Sequence, residues 1–294
     1  MVKLKELPKE ELLLPGNATC AGCGLSIALR LAYKALGQRT VLVVPACCAS
    51  VIHSPFPNTA FATPCLNIAF EAAAAAASGV VAAYQKRGIE DVTVLAWAGD
   101  GGTADIGIQA LSGAAERGTN FIYVCYDNES YMNTGIQRSG STPYGAWTTT
   151  TPTGKKQHKK NVPLIMAAHE IPYVATGCIS YPHDLISKFR RAKQIEGPRY
   201  IQILTPCPPG WRFPTEKTVE LGRLAVRTGM WGLFEIENGE FELTGPSVRL
   251  IDKSKRKPIE EYLRVQGRFR RMTDEEIRVL QEWIDSQWEH YSRL

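Results

Sequence analysis

Asp100 and Asn128 are the two side chains of this 294-residue chain whose surroundings point most directly to chemistry. Asp100 stands in Gly99-Asp100-Gly101-Gly102, immediately after the apolar run 94–98. Asn128 follows a second apolar run, 121–126, and precedes Glu129-Ser130-Tyr131-Met132-Asn133-Thr134-Gly135. Two such runs, joined by the amphipathic stretch 104–116, read as one strand–helix–strand unit of a parallel sheet. A carboxylate at the end of one strand and an amide oxygen at the end of the next then meet at the edge where open α/β sheets bind ligands. Hard oxygen ligands of this kind suit Mg²⁺, which completes its shell with phosphates and water. The glycines admit a diphosphate close to the backbone, and the helix N-terminus behind them favours negative charge. G-D-G alone is equally an ordinary strand–turn–helix with a capping aspartate. The spacing of one unit to Asn128, and the N-T-G after it, tip the reading to a Mg²⁺–diphosphate site.

The cysteines form a second constellation. Of eight, Cys20 and Cys23 make a C-x-x-C, Cys48 closes the strand-like run 40–44, and Cys207 follows another at 200–204. Four thiolates gathered from separate loops fit a [4Fe–4S] cluster. They equally fit a tetrahedral Zn²⁺, and spacing alone favours zinc. Cys47 is the second choice beside Cys48. Cys65, Cys125 and Cys178 lie in strand-like or small-residue contexts and read as buried small hydrophobes. Eight cysteines in a chain whose first 15 residues lack a signal-peptide core point to metal or redox work rather than disulfides.

The elements that must position these residues alternate. A helix is expected over 25–36, a strand over 40–44, a proline-bearing loop, and an alanine-rich helix over 68–87. After the central unit comes a polar stretch from Thr148, expected as a solvated surface loop, with Lys155-Lys156-Gln157-His158-Lys159-Lys160 inside it. A short helix 163–169, a strand 173–175, a helix 183–195 and the strand 200–204 complete another unit. Alternation of this kind argues for an α/β fold with a helix-covered parallel sheet. The C-terminal quarter differs. A hairpin is expected around Asn238-Gly239, and Thr273 with Glu276 makes a capping box before a final helix. Its apolar residues Ile277, Leu280, Trp283, Ile284 and Trp288 share one face, which packs on its own domain or docks a partner. The division expected is 1–230 for the site-bearing domain and 231–294 for a C-terminal extension that docks subunits. His53 is expected to play a structural role near the site.

A hydrophobic fraction of 44% and a charged fraction of 21% are those of a globular protein. The net charge of +5 is mild and no basic, aromatic-interleaved stripe suggests nucleic acid. No apolar run reaches the length of a membrane helix, and a cytoplasmic location is expected.

The runs G-D-G-G-T-A-D-I-G and Y-D-N-E-S-Y-M-N-T-G-I-Q resemble the thiamine diphosphate motif of 2-oxoacid:ferredoxin oxidoreductases, more narrowly the β subunit of the pyruvate synthase type. The resemblance extends from about Gly16 to the last helix. It implies a thiamine-diphosphate-binding parallel-sheet fold with helices on both faces. It implies that Asp100, Asn128 and the Ser130 carbonyl hold Mg²⁺, that Gly99, Gly101 and Gly102 line the diphosphate, and that Asn133, as the catalytic residue, and Thr134 adjoin the cofactor. A-G-C-G and P-C-x-x-G-W resemble the family's cluster motifs, which implies Cys20, Cys23, Cys48 and Cys207 as ligands of a [4Fe–4S] cluster. The implied reaction is oxidative decarboxylation of a 2-oxoacid, pyruvate first among candidates, with coenzyme A taking the acyl group and ferredoxin the electrons. Oxalate, branched-chain and aromatic 2-oxoacids are the alternatives, because 48–50 and 63–67 depart from the pyruvate pattern. The implied partners are an α subunit, which supplies the activating glutamate, and γ/δ-type subunits. Two other readings stand beside this one: a non-redox thiamine diphosphate enzyme with structural zinc, and an electron-transfer subunit without the cofactor. The lysine tract is either a solvated loop or a dock for acidic ferredoxin.

Overall fold

The structure is a computed structural model that describes residues 4–55 and 57–294. Its centre is one eight-stranded sheet in the order β2-β1-β3-β4-β6-β5-β7-β8. The strands are β1 (Thr40–Pro45), β2 (Cys65–Ile68), β3 (Thr93–Gly99), β4 (Phe121–Asp127), β5 (Tyr173–Cys178), β6 (Pro198–Leu204), β7 (Phe234–Glu237) and β8 (Glu240–Leu243). The first six are parallel, and β7 and β8 add an antiparallel hairpin on the β5 edge. β1, β4, β5 and β6 are buried along their whole length, as continuous apolar runs covered on both faces must be.

Helices α1 (Gly24–Leu36) and α2 (Cys48–Ile52) flank β1, and α3 (Ala73–Lys86) and α4 (Ile108–Glu116) flank β3. The next three are α5 (Val162–Ala167), α6 (Pro182–Gln194) and α7 (Pro208–Trp211). Last come α8 (Thr218–Arg227), α9 (Ile259–Leu263) and α10 (Asp274–Tyr291). Leu29, Tyr33, Leu185 and Phe189 from α1 and α6 pack on one face of the sheet with Leu42, Trp97 and Ile201. Ala77, Leu111 and Met166 from α3, α4 and α5 cover the other face with Ala96, Tyr123 and Val174. The fold class expected from the alternation is therefore the one found.

Two expectations at element boundaries are corrected. The helix expected from residue 68 starts at Ala73, and Cys65–Ile68 is instead a short edge strand paired with β1. Four half-exposed residues carry too little apolar pattern to announce a strand, and long-range pairing decides the conformation. The helix expected from 104 opens with a π-turn, Gly102–Ile106, in which the Gly107 N–H donates to the Gly102 carbonyl at 2.8 Å. Such bulges gather at functional sites, and this one adjoins Asp100.

The hairpin forms at the expected place. Asn238 and Gly239 both have positive φ (50° and 87°), the pair of values a two-residue primed turn requires. The segment 231–294 thus begins by extending the same sheet. Its later residues Leu250, Tyr262, Leu280, Ile284 and Trp288 share a core with Trp211, Leu221 and Val226. No helix among the described residues is long and apolar enough to cross a membrane.

Thr273 caps α10 from both sides: its Oγ1 accepts from the Glu276 N–H at 3.2 Å, and the Glu276 carboxylate accepts from the Thr273 N–H at 3.0 Å. Thr273→Ala should lower stability by about 1 kcal/mol, read as a lower urea midpoint with an unchanged slope.

Candidate active site

The parallel order brings the C-terminal ends of β1, β3, β4 and β6 to one edge of the sheet, and the chain leaves each of them through a residue singled out above. β1 leads to Cys47-Cys48, β3 to Asp100, β4 to Asn128 and β6 to Cys207. A cavity of about 450 Å³ opens there, and Gly99, Asp100, Gly101, Gly102, Asn128, Ser130, Asn133 and Thr134 all line it. Asn133 and Thr134 are exposed at its rim, whereas Asp100, Asn128 and Ser130 are buried at its base.

The base is built from oxygen. The side-chain oxygen position of Asn128 lies 2.9 Å from Asp100 Oδ1 and 2.9 Å from the Ser130 carbonyl oxygen. Three acceptors facing one another repel unless the amide turns its nitrogen inward or a cation stands between them. The second resolution suits the electrostatics. Burial first, then the charge of Asp127, pushes the Asp100 carboxyl well above its usual range, against a Ser139 hydroxyl that donates to Oδ2 at 2.5 Å. A bound divalent cation reverses that direction, and carboxylate, amide and carbonyl oxygens are the donor set that Mg²⁺ takes. The residues fit a Mg²⁺–diphosphate headgroup.

The glycines have a tighter reason than access alone. A Cβ on Gly101 would come within 2.5 Å of the Tyr131 ring, and one on Gly102 within 3.2 Å of Phe70. Both rings line the cavity. Tyr131 is held there by its hydroxyl, which donates to Asp105 Oδ2 at 2.7 Å.

The four cysteines singled out above lie on three loops that backbone hydrogen bonds join. The Ala18 N–H donates to the Ile52 carbonyl at 3.0 Å, which joins the first cysteine loop to α2. The Gly24 N–H donates to the Pro206 carbonyl at 3.3 Å, which joins it to the Cys207 turn, and the Cys23 N–H donates to the Cys20 carbonyl at 3.1 Å. Gly22, at φ +71°, lies so close to this turn that a Cβ would meet the Thr215 carbonyl oxygen at 2.3 Å. Burial, and then the charges of Cys207, Cys47, Cys23 and Cys20, raise the Cys48 thiol. Burial pushes Cys207 up to about 12, with Cys23 and Cys20 adding to it. Burial also raises Cys47, but its hydrogen-bonding neighbours are Tyr126, Ser50, Ala49 and Gly99, and its thiol donates to the Pro45 carbonyl at 2.8 Å. Cys47 is thus tied to the end of its own strand and to Tyr126 of β4, and both Cys47 and Cys48 line the cavity. Among the described residues, no three His, Cys, Asp or Glu side chains are grouped closely enough to hold a single ion.

Cys125 and Cys178 are buried in the core as expected, and Cys65 is half-buried on β2. His53 does not line the cavity; it accepts from the Asn67 amide at 3.0 Å at the C-terminus of α2.

The lysine tract is a solvated loop only in part: Lys156, Gln157 and Lys160 are exposed, but the other three residues turn inward. Lys155 is 1% exposed and donates to the Thr142 carbonyl at 2.6 Å. His158 stacks between Tyr144 and Trp283 at 5.2 and 5.1 Å. Lys159, its side chain 9% exposed, lies between Asp127 (3.2 Å) and Glu129 (2.9 Å), the residues that flank Asn128. Arg268 takes the other oxygen of Glu129 at 2.6 Å. Burial alone would raise the Glu129 carboxyl, but Lys159 and Arg268 outweigh it and hold it below its usual value. Neither cation was legible as part of the site, because charge runs ordinarily face water and the two buried partners lie 30 and 139 residues away from Glu129.

Comparison with known proteins gives the family. Residues 46–203 match the family described as "Thiamine pyrophosphate enzyme, C-terminal TPP binding domain". The pyruvate synthase subunit PorB of Methanothermobacter thermautotrophicus is 57% identical over 286 residues, covering 96% of this chain and 97% of that one. The ketoisovalerate oxidoreductase subunit VorB of Pyrococcus abyssi is 51% identical over 298 residues, covering 98% and 94%. This chain is a β-type subunit of the 2-oxoacid:ferredoxin oxidoreductase family. The fold is shared with a 2-oxoglutarate:ferredoxin oxidoreductase from Magnetococcus marinus, solved with 2-oxoglutarate, coenzyme A and succinyl-CoA bound, at a TM-score of 0.58 and 24% identity over 76% of this chain and 80% of that one. Family membership brings a thiamine-diphosphate-binding domain, and a β-type subunit implies further subunits.

Removing Lys159 leaves two buried carboxylates without their shared cation. Lys159→Met should destabilise the protein by about 3–5 kcal/mol, measured by chemical denaturation, whereas Lys156→Met on the exposed neighbour should change stability little.

Proposed function

We propose that this chain is the catalytic β subunit of a complex that oxidatively decarboxylates a 2-oxoacid, with pyruvate as substrate, coenzyme A as acyl acceptor and ferredoxin as electron acceptor. The observation that carries the reading is the convergence of Asp100 Oδ1, the Asn128 side-chain amide and the Ser130 carbonyl at the base of the cavity, each contact to the amide being 2.9 Å. Bound there, thiamine diphosphate supplies the carbanion chemistry that releases CO₂, and a [4Fe–4S] cluster takes electrons singly.

The chain's own contribution is to bind, orient and exclude water. Asp100, Asn128 and Ser130 hold Mg²⁺, and the backbone of Gly99, Gly101 and Gly102 lines the diphosphate. Asn133 and Thr134, at the rim, orient the reacting end of the cofactor. Phe70, Tyr126 and Met132, all on the cavity wall, keep water from it. Cys20, Cys23, Cys48 and Cys207 hold the cluster. Cys48 belongs to the cavity wall as well, so the electron exit adjoins the reacting centre. Among the described residues no glutamate lines the cavity. We therefore assign the activating glutamate to an α subunit, with γ/δ-type subunits and ferredoxin beyond the cluster and the outer face of 231–294 available to them. Relatives named for pyruvate and for ketoisovalerate match this chain at 57% and 51%. That closeness supports a substrate choice made largely by the partner subunit.

Asp100→Ala in the reconstituted complex should abolish thiamine diphosphate retention and leave the iron content unchanged; full occupancy in the presence of chelator would refute the metal assignment. The purified chain alone should turn over no 2-oxoacid with a dye acceptor, and robust turnover would locate the missing carboxylate within it. Cys→Ser at 20, 23, 48 or 207 should lower iron content and ferredoxin reduction. The same change at 65, 125 or 178 should not, and loss of iron at 47 with normal iron at 48 would exchange the neighbours.

A further inference from the structure

Glu129 is a strained residue in a place where strain has a use. It is neither Gly, Asn nor Asp, yet its φ is +65°. The left-handed region is unfavourable for such a residue, and strain of this kind persists where the surroundings over-determine it. Here the surroundings are two largely buried cations. Lys159 Nζ lies 2.9 Å from one Glu129 oxygen, and Arg268 Nη2 donates to the other at 2.6 Å. The carboxylate, 1% exposed, is clamped from both sides. The Glu129 N–H donates to Asp127 Oδ1 at 3.0 Å, and its carbonyl accepts from Thr142 Oγ1 at 2.7 Å. The backbone on each side of the strained residue is therefore also fixed.

The consequence is geometric. Asn128 presents its side chain to Asp100, and Ser130 presents its backbone carbonyl to the same point, although the two are separated by one residue. An extended chain would turn a side chain and the second carbonyl after it to different sides. The left-handed turn at Glu129 folds them back onto a common centre. On the metal reading given above, we propose that Glu129 is the positioning residue of the site. Its clamp by Lys159 and Arg268 holds the Asn128 side chain and the Ser130 carbonyl at one point before a divalent cation arrives, so that binding does not have to order the backbone that carries them.

The test is a Mg²⁺ titration of the metal-free assembled complex at fixed thiamine diphosphate, followed calorimetrically and by turnover, with circular dichroism and iron content measured on each sample. Glu129→Gln keeps the shape and one acceptor oxygen but loses the charge that both cations grip. Glu129→Gly adopts φ +65° freely and has no clamp. Both should lower apparent Mg²⁺ affinity tenfold or more with unchanged iron content, and excess Mg²⁺ should recover turnover in both. Excess Mg²⁺ should recover none in Asp100→Ala, which lacks a ligand. Wild-type Mg²⁺ affinity in either Glu129 variant, correctly folded, would overturn the proposal, and one folded variant is enough to decide. If Asp100→Ala loses the cofactor while the Glu129 variants keep wild-type affinity, the clamp is wrong and the metal site stands. If Asp100→Ala also retains wild-type Mg²⁺-dependent binding, the metal reading itself fails.

Discussion

Three carboxylates, Asp100, Asp127 and Glu129, are buried beside one another where water cannot screen them. Like charges in a medium of low effective dielectric repel strongly, and each also loses its hydration. The protein answers with two cations. Lys159 sits between Asp127 and Glu129, and Arg268 takes the far side of Glu129. Asp127 is further held by the Gln202 amide at 2.6 Å. Both cations go to Asp127 and Glu129, and Asp100 is left without one: it accepts from the neutral Ser139 hydroxyl, lines the cavity, and has its carboxyl raised by burial and by Asp127.

The sheet makes this arrangement possible. In a parallel sheet every strand delivers its C-terminal end to the same edge. Residues 48, 100, 128 and 207, far apart along the chain, leave β1, β3, β4 and β6, and the spatial order β1-β3-β4-β6 sets them side by side. The cysteine-bearing strands flank the two that carry Asp100 and Asn128. The cysteine loops and the oxygen-bearing loops therefore share one edge, and Cys47 and Cys48 line the same cavity as Asp100 and Asn128.

Much of this was legible in the sequence, for a physical reason. β1, β3 and β4 are nearly continuous apolar runs ended by turn residues, β6 is one interrupted by Gln202, and such runs read as buried parallel strands without tertiary information. The Asn238-Gly239 turn and the Thr273 capping box were legible because backbone geometry demands those residue types locally. β2 was not. Its four residues are strand only because β1 lies alongside, and Leu66 and Asn67 face outward. The inward turn of Lys155 and Lys159 was not legible either. A lysine run carries no mark that distinguishes a solvated loop from one whose carboxylate partners are dozens of residues distant. The π-turn at Gly102 depends on a single hydrogen bond from Gly107, and a pattern with a period of 3.6 residues does not register the extra residue.

The C-terminal quarter, set apart by its composition, is mechanically part of the site. Trp211, four residues after Cys207, donates its Nε1–H to the Asn128 carbonyl at 2.7 Å. Arg268 stacks on the Trp211 ring at 3.8 Å and reaches Glu129 from the same position. Cation–π contact and ion pair thus fix one guanidinium against both the cysteine turn and the metal-facing loop. Arg268 in turn is oriented by Gln266 and Tyr262, at 2.8 and 3.1 Å. A shift of the turn that carries Cys207 moves Trp211, and with it the backbone of Asn128. A change in the oxygen site is felt in the opposite direction through Glu129 and Arg268. One indole and one guanidinium thus tie the turn that carries Cys207 to the loop that carries Asn128 and Glu129.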